Sequence, residues 1–494
     1  MTTRRSVLQM MGLAALAAVP FRASAAPFGT FPGTSSNAIP EARRVRNILE
    51  IYLYGGLSPW ESFYYVPDRG KKEKLFYHAF DQTENPAALT ACGIKAVSSQ
   101  SFARDASGVE VHLGPFARGL FERPDLRDRM RIIVQRHRLL PHEAAVPFGI
   151  TGKLVGSPQL SSLAAHVQQA SFELAPRSEP YSVVLMNAGA VPSDNTDAFV
   201  ATGIHPGTAR PLRLNLDSAG QLSTLLSRPS VQPGIRSAYD DYIAANVEAF
   251  QRRLEFAGTG DVLRANALRD LSASTRATRS TREVAAMLSS DLLVAPNTQL
   301  CGESRSNYTH SGLRLAAHLL EHPATPVRYV CMLDSGLVPA SGGGGYDTHG
   351  PGEQIVQLTN LDNLLTGLGK VINRPGEVDP SKLKLNETLI IINTEFGRTP
   401  GLQDELGGRN HHTNGYVTVF LGGPTQGRTI HGAIDAMGEG IDAASPVENR
   451  IAALLALGLY PFSPEGFSSS EVRDASSEQA AMELAVKRMM GVVS

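Results

Sequence analysis

Two segments far apart in the chain carry side chains suited to holding a divalent cation. The first follows the run Tyr329–Asp334: a glycine tract, Gly342 to Gly345, leads into Tyr346-Asp347-Thr348-His349-Gly350. An Asp and a His two residues apart bring a carboxylate and an imidazole to one point, a pairing that suits Zn²⁺, and the glycines leave room for the ion. The second closes the apolar run Ile390-Ile391-Ile392-Asn393 with Thr394-Glu395-Phe396-Gly397-Arg398-Thr399-Pro400. A carboxylate at the end of a hydrophobic strand is costly to desolvate unless a cation neutralises it. A metal could neutralise Glu395, and so could Arg398, in an internal pair that caps the next helix. Gly408-Arg409-Asn410-His411-His412 follows, with further nitrogen donors. Adjacent residues point in different directions, so one of the two histidines is expected to face the site, and His412 is the preferred ligand.

Two other loops carry chemistry. Gly55-Gly56-Leu57-Ser58-Pro59-Trp60-Glu61 combines paired glycines, which let backbone approach a ligand closely, with the Ser58 hydroxyl and the Glu61 carboxylate. It reads equally well as a plain turn ending in the chain's single Trp. Arg136-His137-Arg138-Leu139-Leu140-Pro141-His142-Glu143 follows the strand-like Ile132–Gln135. Guanidinium groups match phosphate or sulfate oxygens two at a time, so Arg136 and Arg138 form either an anion grip or a basic surface corner. His142, just ahead of an expected helix, is read as an acid or base.

These loops need a scaffold that brings them together. Ile48–Tyr54, Arg131–Gln135, Tyr181–Met186, Val327–Leu333, Leu389–Asn393 and Val417–Leu421 are mostly continuous apolar runs, the pattern of strands covered on both faces in a parallel sheet. Helical patterns lie between them, at Ser161–Gln169, Leu313–Glu321 and Ile355–Lys370. Alternating strands and helices indicate α/β layering. In such sheets ligands bind beyond the carboxyl ends of the strands, and each loop named above follows such an end or runs up to the next strand. Residues 235–300 break the alternation and are expected to form a helical insertion, with Arg252, Arg253, Glu255 and Arg264 on a solvated face.

The amino terminus suggests a destination. Arg4-Arg5 precedes the apolar run Met10–Val19, and Ala23-Ser24-Ala25 supplies a small-residue cleavage site. This is the layout of a twin-arginine export signal over residues 1–25, followed by a Pro/Gly/Ser-rich tether over 26–42, and it implies a periplasmic or extracellular protein carried out folded by the twin-arginine translocase. Without the three signal arginines the chain has 43 basic and 47 acidic residues, a balance near −4 that gives nucleic acid no foothold. Cys92, Cys301 and Cys331 allow at most one disulfide and form no CxxC pair. Beyond the signal, no apolar run approaches the roughly 20 residues of a membrane span.

In order along the chain, the twin-arginine signal, Gly-Gly loop, His142-Glu143-Ala144-Ala145 with the following Thr151-Gly152, Asp347-Thr348-His349-Gly350, Glu395 to Pro400 and the His411-His412 stretch resemble the domain-of-unknown-function 1501 family. The resemblance runs from about Arg46 to Pro461, and that family is similar in fold to the alkaline phosphatase and sulfatase superfamily. It implies an α/β three-layer sandwich with a central, mostly parallel sheet over residues 43–494. Asp347 and His349 would then ligate one metal, with His412 or His411 as the late histidine ligand; Glu395 stands where the superfamily has an Asp-His pair. Glu61 stands where relatives tend to have Asp, and no hydroxyl or thiol lies between Leu139 and His142, where the superfamily nucleophile should fall.

The expected activity is therefore hydrolysis of a small or polymer-borne phosphate or sulfate ester by a metal-activated water. Zn²⁺ is the first choice of ion and Mn²⁺ or Ca²⁺ the alternatives. The metal set is Asp347, His349, Glu395, His411 or His412, and Glu61; His142, Arg136, Arg398 and Ser58 are the catalytic candidates. The competing expectation is a non-catalytic periplasmic binding or assembly protein that meets a protein partner through the helical insertion.

Overall fold

A computed structural model describes residues 29–69, 98–154, 162–174, 183–188, 212–216, scattered positions between 238 and 249, 288, 290–300, 303–323, 327–350, 352–403, 408–463 and 466–491. Its centre is an eight-stranded sheet. In chain order the strands are β1 (Asn47–Leu53), β2 (Met130–Gln135), β3 (Val183–Ala188), β4 (Leu212–Asn215), β5 (Tyr329–Asp334), β6 (Thr388–Thr394), β7 (Tyr416–Gly422) and β8 (Thr429–His431). Across the sheet they run β8-β2-β7-β6-β1-β5-β3-β4. All pairings are parallel except the two made by β7, so one strand is reversed in an otherwise parallel sheet.

The six expected strands all form, and their apolar continuity has the anticipated cause. Alternate residues of β1 enter opposite layers. Leu49, Ile51 and Leu53 join one core with Leu313, Leu319, Leu361 and Leu364. Ile48 and Tyr52 join the other with Val146, Ile451, Leu454 and Met482. The first core rests on helices α3 (Tyr308–Glu321) and α4 (Gln354–Lys370); the second rests on α1 (His142–Thr151), α2 (Leu163–Leu174), α5 (Pro446–Ala456) and α6 (Glu478–Met490). Burying apolar side chains on both faces is what removes the polar alternation of a one-sided strand. The short strands β4 and β8 and the carboxyl-terminal helices α5 and α6 were not anticipated. Three or four residues carry too little pattern for the first two, and α5 is buried along its whole length, Glu448, Asn449 and Arg450 included, so its polar residues mark no solvent face.

Residues 29–42 correct the expectation of a tether. Ile39 is fully buried, Asn37 Nδ2 donates to the Leu455 carbonyl (2.9 Å) and Tyr460 N donates to that of Gly29 (2.8 Å). A polar, Pro-rich composition excludes regular structure but does not prevent a few apolar side chains from docking on a finished core. The signal, residues 1–25, lies outside the described residues, as does most of the proposed insertion. At the insertion's end, Asn297–Leu300 forms a strand paired with Glu303–Ser306 rather than a helix. Cys331 is a free, buried thiol within β5, and among the described residues no helix is long and apolar enough to cross a membrane.

The register places the functional loops at one level. Leu53 aligns with both Thr394 and Asp334, and Asp334 aligns with Ala188, so the carboxyl ends of β1, β6, β5 and β3 finish together. The reversed β7 begins at that same edge, opposite Gln135 at the end of β2, which carries His411-His412 there as well.

Candidate metal centre

Four side chains converge at this edge. A nitrogen of His142, His349 and His411 and a carboxylate oxygen of Asp347 all lie within 4.8 Å of one another. Nε2 of His349 is 3.1 Å from Asp347 Oδ1, that of His142 is 3.3 Å and that of His411 is 3.7 Å, while the Nε2 atoms of His349 and His411 are 3.1 Å apart.

Each ring is oriented from behind through its other nitrogen. Nδ1 of His142 donates to Glu395 Oε1 (2.9 Å), Nδ1 of His349 to Gln403 Oε1 (2.9 Å) and Nδ1 of His411 to the Leu140 carbonyl (3.0 Å). With Nδ1 carrying the hydrogen, Nε2 presents a lone pair to the centre, the tautomer that metal-ligating histidines take when an outer acceptor fixes them. Nε2 of His142 is buried without a hydrogen-bond partner. Two facing lone pairs 3.1 Å apart repel unless a proton or a cation lies between them. Three imidazole nitrogens and one carboxylate oxygen therefore fit a divalent ion.

The chain builds the site from backbone constraints. A side chain at Gly342 would overlap the Asp347 carboxylate, its Cβ lying 1.8 Å from Oδ2, so the glycine tract folds against the ligand as its composition suggested. Gly55 adopts a positive φ of 119°, and its N–H donates to Glu395 Oε1 (2.7 Å). His142 opens α1 directly after Pro141, which leaves its ring free to turn back toward the sheet edge. Arg398 and His411 are opposed in a short antiparallel ribbon, with Gly397 opposite His412. Opposed residues share a face, so Arg398 and His411 point inward together and His412 points away.

Charge around the centre is unevenly shared. Burial by itself would raise the Asp347 carboxyl, but the three surrounding imidazoles and the Arg398 guanidinium hold it far below the ordinary carboxylate range. Burial would likewise lower His142, but the Asp347 and Glu395 carboxylates on either side push it up to about 9. His349 is raised by Asp347. A proton and a divalent ion would thus compete for the same electron pairs, and metal uptake would release protons.

Several sequence assignments change. Glu395 does not enter the cluster: its fully buried carboxylate is taken by Gly55 N–H, His142 and the Thr394 hydroxyl (3.2 Å), so it orients His142. The Glu395–Arg398 helix cap does not form. His412 turns to the Gly438 carbonyl (2.7 Å), and His411 is the one of the pair that joins the cluster. Glu61 lies in a separate buried pair with Arg409 (2.5 Å) and also accepts from Ser58 (2.6 Å), so neither the carboxylate nor the hydroxyl is presented to the four donors. Arg398 is wholly buried and donates to Asp347, to the carbonyls of Gly55, Gly56, Tyr346 and Arg409 and, at 3.3 Å, to His349 Nε2, clamping the Asp347 carboxylate and sharing the His349 lone pair. Arg136 and Arg138 are exposed on the loop before α1.

His137 and Gln403 were missed. Leu139 N–H donates to His137 Nδ1 (3.0 Å), so Nε2 carries the hydrogen and bonds the Glu395 carbonyl (2.5 Å), bracing the strand end. Their only sequence signal is proximity to the ligand loops.

A family model described as a protein of unknown function, DUF1501, matches residues 46–457. The chain belongs to this family. No curated protein matches it. The matched span contains all four converging donors and the residues that orient them.

Proposed function

We propose that this DUF1501 protein is an exported, metal-dependent hydrolase of phosphate or sulfate esters, built on an alkaline-phosphatase-like three-layer sandwich and carried to the periplasm by the twin-arginine pathway. The observation that carries the metal reading is the convergence of His142, Asp347, His349 and His411, each imidazole braced through Nδ1 by an outer acceptor. Nitrogen-rich donor sets suit Zn²⁺, with Mn²⁺ second; Ca²⁺ prefers six to eight oxygens and fits poorly. When bound, the ion would supply Lewis acidity toward an ester oxygen and a water.

The chain's own contribution is orientation and charge. Arg398 fixes Asp347, Glu395 fixes His142, and Gln403 fixes His349. Side-chain exposures of 30 % at His349 and 17 % at His411, against 5 % at Asp347, mean that an ester would approach from the histidine side. Arg136 and Arg138, exposed on the adjoining loop, are the candidates for drawing in an anion. Ser58 is committed to Glu61, which supports attack by water rather than by that hydroxyl.

The same commitment of Ser58 favours a second reading, a non-catalytic periplasmic protein in which the metal organises the sheet edge. Mature protein loaded with Zn²⁺ or Mn²⁺ separates the two. Turnover of aryl phosphates or aryl sulfates that disappears in H411A supports the hydrolase. Metal bound at one equivalent with no turnover of either ester class supports the second reading.

A further inference from the structure

The loop that carries Asp347 and His349 is held along its backbone by two buried amides of α4. Gln357, 1 % exposed, ties it to the Gly55-Gly56 loop. Its Nε2 donates to the carbonyls of Gly56 (2.9 Å) and Tyr346 (2.8 Å) and lies 3.3 Å from Thr348 Oγ1, while its Oε1 accepts from the Ser58 N–H (3.0 Å). Tyr346 and Thr348 are the residues on either side of Asp347. Asn360, equally buried, spends its whole hydrogen-bonding capacity on the start of the same loop. Its Oδ1 accepts from the N–H groups of Leu337 (2.9 Å) and Val338 (2.8 Å), and its Nδ2 donates to the carbonyls of Val338 and Gly345 (both 2.8 Å). A Cβ at Gly336 or Gly345 would lie 2.5 Å from that Nδ2, so both glycines let the loop close on the amide. Residues three apart in a helix share a face, so α4 offers the loop one edge with two amides.

We propose that Gln357 is a positioning residue for the metal centre: it sets where Asp347 and His349 stand relative to the other two donors, and so sets affinity for the ion. The inference rests on the metal reading above and is independent of ester hydrolysis. His142 and His411 are oriented from elsewhere, by Glu395 and the Leu140 carbonyl. The four donors therefore meet only while the loop between Tyr346 and Thr348 keeps its place against the end of β1, which is the junction that Gln357 bridges. Loss of the amide does not strand the two carbonyls, because those of Gly56 and Tyr346 also accept from Arg398 (3.2 and 3.3 Å). Removal of the amide should thus loosen the ligand loop without unfolding the chain.

The test replaces Gln357 by Met, which has a similar length and volume and makes none of these bonds. Competition against a chromophoric chelator, well below the melting temperature, should show Q357M losing Zn²⁺ affinity by about 10–100-fold, the range for residues that orient a ligand. With Co²⁺ in place of Zn²⁺, the visible absorption of the folded variant should shift and weaken, because the band reports ligand geometry and a purely structural loss of stability would leave it alone. Q357N keeps the amide but withdraws it by one methylene, and the same direction of change is expected if Q357M does not fold. A folded variant with the parent's affinity and cobalt spectrum, whatever its Tm, overturns the positioning role and leaves the metal reading intact. Failure of both variants to fold also overturns it, making Gln357 a residue of the core. A parent protein that binds neither Zn²⁺ nor Co²⁺ overturns the metal reading, and this inference with it.

Discussion

Replacing Glu61 by Gln separates the buried polar pair from the metal centre. Both side chains of the Glu61–Arg409 pair are 1 % exposed, and the carboxylate accepts from Arg409 Nη2 (2.5 Å), Arg409 Nη1 (3.1 Å) and the Ser58 hydroxyl (2.6 Å). Gln keeps the shape but offers an amide N–H₂ where one carboxylate oxygen accepted, and it removes the counter-charge from a buried guanidinium. Breaking a buried pair from one side costs about 3–5 kcal/mol, and since the amide keeps one acceptor the lower end, about 3 kcal/mol, is expected. For a chain of this size each kcal/mol moves the midpoint by roughly 1–2 °C, giving a fall in Tm of about 3–6 °C by differential scanning calorimetry. Metal content, measured by elemental analysis on the same sample, should match the parent protein, because Glu61 is not one of the four converging donors. An E61Q protein that keeps its Tm but loses its metal would refute the reasoning and restore Glu61 as a ligand.

Competition against a chromophoric chelator should show H411A losing metal affinity by more than about 100-fold and E395Q by about 10–100-fold through the freed His142, with H412A within threefold of the parent. A larger loss in H412A than in H411A would mean the ribbon register is wrong. Arg450 and Glu50 form a fully buried pair beneath the sheet, so R450M should cost about 3–5 kcal/mol in urea unfolding, with the double variant E50L/R450M recovering most of it. A double variant no more stable than R450M would contradict this. Burial drives the His431 imidazole down to about 4, below its ordinary value near 6.5, so the unfolded chain takes up this proton first as pH falls. Stability from this group is therefore complete above about pH 6.5 and lost progressively toward pH 4; in H431Q that part of the slope should vanish from urea midpoints measured across the window.

Residue types and order were enough to mark six sheet strands, four of the helices and the loops at their ends, because burial on both faces leaves a continuous apolar signature that one chain displays by itself. The same local chemistry singled out Asp347 and His349, where a glycine tract clears space for a carboxylate and an imidazole. Which other groups join them was settled only by the fold. Glu395 and Glu61 have the composition of ligands, yet a backbone N–H of Gly55 and the guanidinium of Arg409, both distant in sequence, take those carboxylates first. His411 and His412 are chemically identical neighbours, and only the pairing of Arg398 with His411 in the ribbon turns one inward and the other outward. His142, read as an acid or base, becomes a donor to the cluster because Asp347 and Glu395 meet on either side of its ring. Composition states which atoms can bind a cation; which of them are left to do so depends on partners that long-range register brings within reach.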